Sequence, residues 1–284
     1  MALADNLIAY WKLDETSGTN AEDQVASYDG TNSGAALGTD GIIGKCYDFE
    51  SSEGDKVTVA DAAGLDPVNF SISLWVKAES SGEANCGLFS KGTSSSDILQ
   101  FAFYDTSLRP MIHLTHTTGG YKTLIADGAI STGAWHHLVV TYDGTTKRIY
   151  VDGSDVKDST DGSGNYVGTT SDIKFGEDIG TANYDGLLDE IGFWSRALTS
   201  AEVTDLYNSG AGLTYPFSTD RIVTPSTLTL STTSQSPLYL ITISRDKLSL
   251  SLALKSPTII KTRIYDFKSI SKNFPVPYKI RMKL

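Results

Sequence analysis

Glycoside hydrolysis needs two carboxylates about 5–9 Å apart across the scissile bond. Residues i and i+2 of a strand share a face, so a Glu-x-Asp-x-Glu run would supply them. The sequence has no such run; its carboxylates fall mostly in turns, as at Asp143, Asp152 and Asp161. Asp189 and Glu190 are adjacent, which on a regular strand points them to opposite faces. A Ser or Cys nucleophile needs a base in reach. The histidines are His113, His116, His136 and His137, and no nucleophile motif accompanies them. They read as ordinary strand residues. Cys-x-x-Cys, His-Glu-x-x-His and phosphate-binding glycine loops are absent, which removes zinc and nucleotide chemistry. The expectation is a protein that is not an enzyme. Recognition remains, and for it aromatic rings in polar loops are the natural platforms: Tyr104, Tyr121, Tyr166 and Tyr184. The four tryptophans lie in core-like blocks and are assigned to packing.

The elements that must position such rings are strands. Gly, Asp, Asn and Ser recur at short intervals through residues 1–217, with apolar alternation between them, the pattern of an all-β sandwich. Phe70, Ile72, Leu74 and Val76 alternate with polar or larger residues and share one face. Residues 138–142 and 147–151 form a hairpin turned at Asp143-Gly144, since both residue types tolerate positive φ. One short helix is expected at 200–207, capped by Thr199 or Ser200 and stopped by Gly210, as a lid or edge plug. Cys46 and Cys86 read as two buried thiols.

The formal net charge of −11 hides a split. Residues 218–284 hold 11 Lys and Arg against 3 Asp and Glu, a net of +8; residues 1–217 hold 12 against 31, a net of −19. All 26 glycines precede residue 218. The basic segment repeats itself after about 20 residues: Leu228 and Leu230 recur as Leu248 and Leu250, and Ser236-Pro237 as Ser256-Pro257. Proline breaks a ladder, so each copy reads as two short strands, with a last strand at 278–282. Short strands without glycine bury little alone and invite pairing, so Leu228, Leu230, Pro237, Leu248, Leu250 and Pro257 are assigned to assembly or anchoring. The cations are scattered, not gathered in a stripe with stacking aromatics, so no nucleic-acid partner is expected. No apolar run approaches the roughly 18–20 residues that span a bilayer. Met1 to Trp11 has neither a basic nor an apolar leader region, which predicts folding in a cytoplasm.

Six ordered blocks within residues 3–215 resemble the laminin-G-like jelly-roll modules of the concanavalin A-like lectin/glucanase superfamily. They are Ala9-Tyr10-Trp11-Lys12-Leu13-Asp14-Glu15; residues 41–49; the Phe-x-Ile-Ser-x-Trp-Val-Lys strand at 70–77 with Ser90-Lys91-Gly92; Trp135-His136-His137 through Asp143-Gly144; Tyr150-Val151-Asp152-Gly153; and residues 184–199 with the helix. The fold class is therefore expected to be all-β, a concanavalin A-like jelly-roll sandwich over 1–217 followed by a small β-rich assembly segment over 218–284. The resemblance implies binding of glycans or proteins on a concave face or loop rim. It also implies a structural calcium at Asp189, with Asp14 and the Gly44 carbonyl beside it. An acidic, Asp-Gly-rich domain can offer the six to eight oxygens calcium takes. The competing reading has Asp189 and Glu190 capping turns and meeting Arg196 or Lys12. Together these features predict a homo-oligomeric virion surface protein, a capsid decoration or fibre, displaying a lectin-like domain to host glycans and held by its tail to sister subunits or capsid. The alternative is a secreted or cell-surface carbohydrate-binding or adhesion module, and a third reading is a glycan-active enzyme.

Overall fold

The computed structural model describes residues 2–80, 84–160, 163–180 and 182–217, and the backbone of three strands in the C-terminal segment. The chain divides into two compact units, residues 1–221 and 222–284.

The strands of the first unit are, in chain order, β1 (Leu7–Trp11), β2 (Asn20–Ala21), β3 (Gly30–Ser33), β4 (Ala36–Asp40), β5 (Lys45–Phe49) and β6 (Lys56–Val59). Then come β7 (Phe70–Ala78), β8 (Gly87–Lys91), β9 (Leu99–Phe103), β10 (Pro110–Thr118), β11 (Gly120–Ile125) and β12 (His136–Tyr142). The series ends with β13 (Lys147–Val151), β14 (Ser154–Ser159), β15 (Ser163–Tyr166), β16 (Ile173–Phe175), β17 (Gly186–Trp194) and the helix α1 (Ser200–Tyr207). An eight-stranded sheet runs β14-β13-β12-β7-β17-β5-β4, with β1 also on β17. A nine-stranded sheet runs β11-β10-β9-β8-β16-β6-β3-β2, with β15 also on β10. This is the two-sheet jelly roll, all-β apart from α1 and two single 3-10 turns.

Period-two alternation builds the core. Phe70, Ile72, Leu74 and Val76 of β7 point inward and meet Leu99, Phe101 and Phe103 of β9 in one buried cluster. Trp11 meets Phe175 edge-on at 5.0 Å and Phe89 meets Phe193 at 5.2 Å, so rings from both sheets interlock. Trp11, Trp75 and Trp194 are buried; Trp135 is half-buried. The β12–β13 turn forms as expected: Asp143 Oδ1 accepts from the amides of Thr145 and Thr146, and Gly144 takes φ +91°.

The helix starts at a reciprocal cap, with Thr199 accepting from the Glu202 amide and Glu202 reaching back to the Thr199 amide. Val203 and Leu206 bury against Val139, Tyr150 and Trp194 on the outer face of the eight-stranded sheet. Arg196 is held bidentately by Glu202 at 2.7 and 2.8 Å. It is therefore not the partner of Asp189 or Glu190 that the sequence allowed. Both cysteines are buried, and burial pushes the Cys46 thiol up to about 12.

The second unit shows β18 (Tyr239–Ile243), β19 (Leu250–Leu254) and β20 (Arg263–Tyr265) in an antiparallel sheet of order β18-β19-β20. Leu250 opens β19. Leu228, Leu230, Pro237, Leu248 and Pro257 lie outside the described residues, as does the strand expected at 278–282.

Candidate functional site: a polar groove and a buried acid pair

Since Leu99, Phe101 and Phe103 face the core, Gln100 faces outward, and strand pairing extends that position into a row across the nine-stranded sheet. Thr123 stands opposite His113, His113 opposite Gln100, Gln100 opposite Ser90, Ser90 opposite Lys174, and Lys174 opposite Thr58. Six polar side chains thus share one outer face. Ser90, Gln100 and His113 are nevertheless only 1%, 3% and 8% exposed, because loops fold over them.

One cover is the loop after β16. It crosses β8 at Gly87, where a Cβ would lie 2.5 Å from the Glu177 carbonyl oxygen and 2.6 Å from the Asp178 nitrogen. Only glycine admits so close a passage. The crossing places Glu177 between Lys56 and Lys174, whose ammonium groups each bond one of its oxygens. Burial raises the Glu177 carboxyl and the two lysines more than offset it, holding the group below its ordinary range. Asp178, which accepts from the Ala182 amide, is pushed up by burial. A groove of about 400 Å³ opens beside this loop, lined by Ser90, Thr93, Ser171, Asp172, Lys174 and Asp178. The Ser90 hydroxyl is buried with no hydrogen-bond partner, an uncompensated polar group of a kind that folded proteins rarely keep. Farther along the row the Tyr121 ring stacks on His113 at 5.2 Å, and His113 Nδ1 shares hydrogen bonds with the Tyr121 and Thr123 hydroxyls, at 2.7 and 2.5 Å. Burial lowers His113 to about 4, so its imidazole is neutral at physiological pH.

Of the tyrosines expected as platforms, the structure exposes two. Tyr121 is 41% exposed and lies beside the polar row, against His113; Tyr104 is 38% exposed and carries the Arg109 guanidinium 5.1 Å above its ring. They do not form one site, because Tyr104 follows the end of β9 and Tyr121 stands across β10 from its beginning. Tyr166 and Tyr184 are 4% and 1% exposed core residues packed near Phe70 and Phe103, so neither ring can be a platform. Polar loops surround them in sequence, but tertiary packing buries them. Ser90, Gln100, His113 and Lys174 were missed. Their signal is the polar half of the strand alternation, which becomes a site only when register aligns the strands.

Ser131 Oγ, His136 and Asp152 are joined in the order of a nucleophilic relay, at 2.9 Å to Nε2 and 2.8 Å from Nδ1. Ser131 is exposed, and neither groove described here is lined by any of the three. Asp152 also accepts from the His137 amide. The cluster therefore reads as a strap holding the start of β12 to the β13–β14 turn. The second groove, about 380 Å³, is lined by Asp127, Asp155, Val156, Lys157 and Asp158, with Lys157 already bonded to Asp127.

The residues singled out for calcium flank one turn. Asp189 Oδ2 accepts from the Ile43 amide at 3.1 Å and Asp14 Oδ1 from the Lys45 amide at 2.7 Å, so the turn at 41–45 is wedged between the two carboxylates. Cβ atoms at Gly41 and Gly44 would lie 2.4 Å from Asp189 Oδ2 and 2.3 Å from Asp14 Oδ1. The regular-strand expectation for Asp189 and Glu190 fails here. A register shift follows Asp189, Glu190 takes φ +52°, and both side chains are buried. Tyr10 donates its hydroxyl to Glu190 Oε2. Asp189 Oδ1 and Glu190 Oε1 have no partner, and burial lifts the two carboxyls to about 9 and about 7. Asp14, Asp189 and Glu190 do not bring one ligand oxygen each within 4.8 Å of the others. A second acidic group, Asp48, Glu50 and Glu79, has one ligand oxygen from each within 4.8 Å of the others. It is more open, with Glu50 and Glu79 exposed.

Residues 51–204 match the family model of the concanavalin A-like lectin/glucanases superfamily, laminin-G type. The chain belongs to this superfamily. No sequence among the curated proteins matches it. Among solved structures, this superfamily member is similar to domain 4 of AbnA, an extracellular arabinanase from Geobacillus stearothermophilus in complex with arabinotriose. The identity is 20%, covering 70% of this chain and 97% of that one, with a TM-score of 0.59. It is also similar to the binding domain of Paraclostridial Mosquitocidal Protein 1, at 16% identity, covering 98% of this chain and 74% of that one, TM-score 0.60. A third is Trypanosoma rangeli sialidase in complex with 2,3-difluorosialic acid, at 16% identity and TM-score 0.56. There 74% of this chain aligns, but only 34% of the sialidase. These are domains of a glycan-degrading enzyme, a toxin and a sialidase; none is a capsid or fibre protein. The expectation of a virion surface protein, and of a virion location, is overturned by them.

Proposed function

We propose that this chain is a secreted or cell-surface carbohydrate-binding module that holds a glycan on the outer face of its nine-stranded sheet and does not cleave it. The observation that carries this is the groove over Ser90, a concave, loop-walled space of about 400 Å³ whose floor includes a buried hydroxyl without a partner. A volume of that size is ordinary for a small-molecule site. A sugar hydroxyl would supply the hydrogen bond that Ser90 lacks. The structural neighbours support the class, since one is a domain solved with arabinotriose and another a sialidase.

Binding without cleavage is proposed from the groove's groups. Glu177 is committed to two lysines. Asp172 accepts from the Asp61 amide and Asp178 from the Ala182 amide; each keeps an oxygen for a sugar hydroxyl, and neither is proposed as a catalytic acid. Calcium at Asp189, Asp14 and the Gly44 carbonyl is proposed as structural. It would neutralise the buried Asp189 and fix the turn to β17. The basic segment 218–284 is proposed as the link to sister copies, its charge being opposite to that of residues 1–217. Glycan-array screening of the full chain tests the main reading. Binding to at least one glycan family, without reducing ends released from it, is expected; an array without a hit would remove the reading.

A further inference from the structure

Resting on the reading of this groove as a glycan site, we infer that its ligand is a neutral oligosaccharide and that uronic, sialic and sulfated sugars are rejected. The argument is a charge account of the groove itself. Its lining contains one cation, Lys174, and that ammonium is bonded to Glu177. Lys56, the neighbouring cation on the same face, is bonded to the other oxygen of the same carboxylate. Glu177 is buried and takes one bond from each lysine, so the three groups together carry a single net positive charge. Two further carboxylates, Asp172 and Asp178, line the space. Lys56 and Lys174 thus stand against three carboxylates, Glu177, Asp172 and Asp178, and the groove offers a ligand an excess of negative charge and hydroxyl groups in a domain whose net charge is −19.

An anionic sugar held here would meet the like charge of Asp172, which is exposed, and of Asp178, which is buried. A neutral sugar meets what its hydroxyls need. Asp172 and Asp178 can accept, and Ser90 Oγ, Thr93 and Ser171 can both donate and accept. Ile179 on the same loop lines the groove as well and supplies an apolar contact for a sugar's C–H face. Farther along the row the His113–Tyr121 stack is neutral too. Recognition of this kind is hydrogen-bonding, so it should be insensitive to ionic strength.

The test uses the full chain and matched pairs of glycans: galactan against polygalacturonate, mannan against alginate, lactose against 3′-sialyllactose, and linear arabinan. The expected result is binding to one or more neutral members and at least tenfold weaker binding to the acidic partner. The dissociation constant should be flat between about 0.05 and 0.5 M NaCl. The Ser90→Ala variant places the site. It removes a buried hydroxyl that has no partner, so the melting temperature should stay level or rise, while neutral-glycan affinity falls at least fivefold. A purely structural serine would show neither the loss of affinity nor the separation of the two readouts. Tighter binding of an acidic member overturns the inference and leaves the glycan-binding reading standing. Unchanged affinity in Ser90→Ala puts the ligand elsewhere and overturns it as well. Failure of every glycan to bind defeats the underlying reading itself.

Discussion

Asp189 concentrates the chemistry of this domain in one side chain. It is fully buried, one of its oxygens accepts from the Ile43 amide, and the other has nothing to bond. A carboxylate in that position costs several kcal/mol unless it is protonated or meets a cation. The lift to about 9 says that without a cation it is protonated at neutral pH. A divalent ion that binds only the folded state stabilises it by about 2.7 kcal/mol when present at a hundred times its dissociation constant. Millimolar calcium is therefore expected to raise Tm by several degrees and EDTA to reverse the shift. The Asp189→Asn variant should melt at one temperature in both. Calorimetry checks this, and an EDTA-insensitive wild type would sink the calcium assignment.

At the scale of elements, two contacts decide whether the groove and the helix hold. The β16–β17 loop forms a groove wall only because Gly87 lets it pass at backbone contact distance. Gly87→Ala must push Glu177 and Asp178 outward, and titration calorimetry should record glycan affinity falling at least tenfold with the fold retained by circular dichroism. The helix hangs on Glu202, which caps Thr199 and pairs with Arg196 in a nearly buried contact. Glu202→Ala leaves the nearly buried guanidinium without its countercharge and with only the Asp5 and Ala2 carbonyls to bond, a loss of about 3 kcal/mol. Burial raises the Glu202 carboxyl, but Arg196 and Thr199 overcome it and hold it below its ordinary 4.5. This pair's stability is thus fully present above that value and is lost as pH falls through the lower folded value. Glu202→Ala should lower Tm at pH 7 and shrink the difference from wild type below pH 4, measured by thermal melts across pH.

These elements were legible to different degrees. Phe70 to Val76, the Asp143-Gly144 turn and the Thr199 cap announce themselves because each depends on a few consecutive residues. Asp189, Asp14 and Gly44 could be paired only through a family resemblance, since 175 positions separate Asp14 from Asp189. The groove could not be read at all. Ser90, Gln100, His113 and Lys174 are single polar letters on four strands, and only the register between those strands makes them neighbours. The error over Tyr166 and Tyr184 has the same origin: a polar local context says nothing about what packs on a ring from across the sandwich.

At the scale of the whole molecule the division of charge and the division of structure fall close together. The first unit ends at residue 221, and the charge changes sign from residue 218 onward. Within the first unit one cluster spans both sheets, and a smaller one is closed by α1 with Phe217 stacked on Trp194. That unit therefore has a core of its own, and a protein ending after Phe217 keeps every described residue of both clusters. Such a truncated chain is expected to melt cooperatively within a few degrees of the first transition of the full chain and to bind glycan with the same affinity. Its mass in solution, by light scattering, should be that of a monomer, while the full chain should be larger at low salt and shift toward monomer at high salt, because attraction between a −19 and a +8 surface is screened. A truncated head of the same oligomeric state as the full chain would show that the basic segment is not the link between copies. A head that unfolds without its tail would show that the boundary of charge is not a boundary of folding.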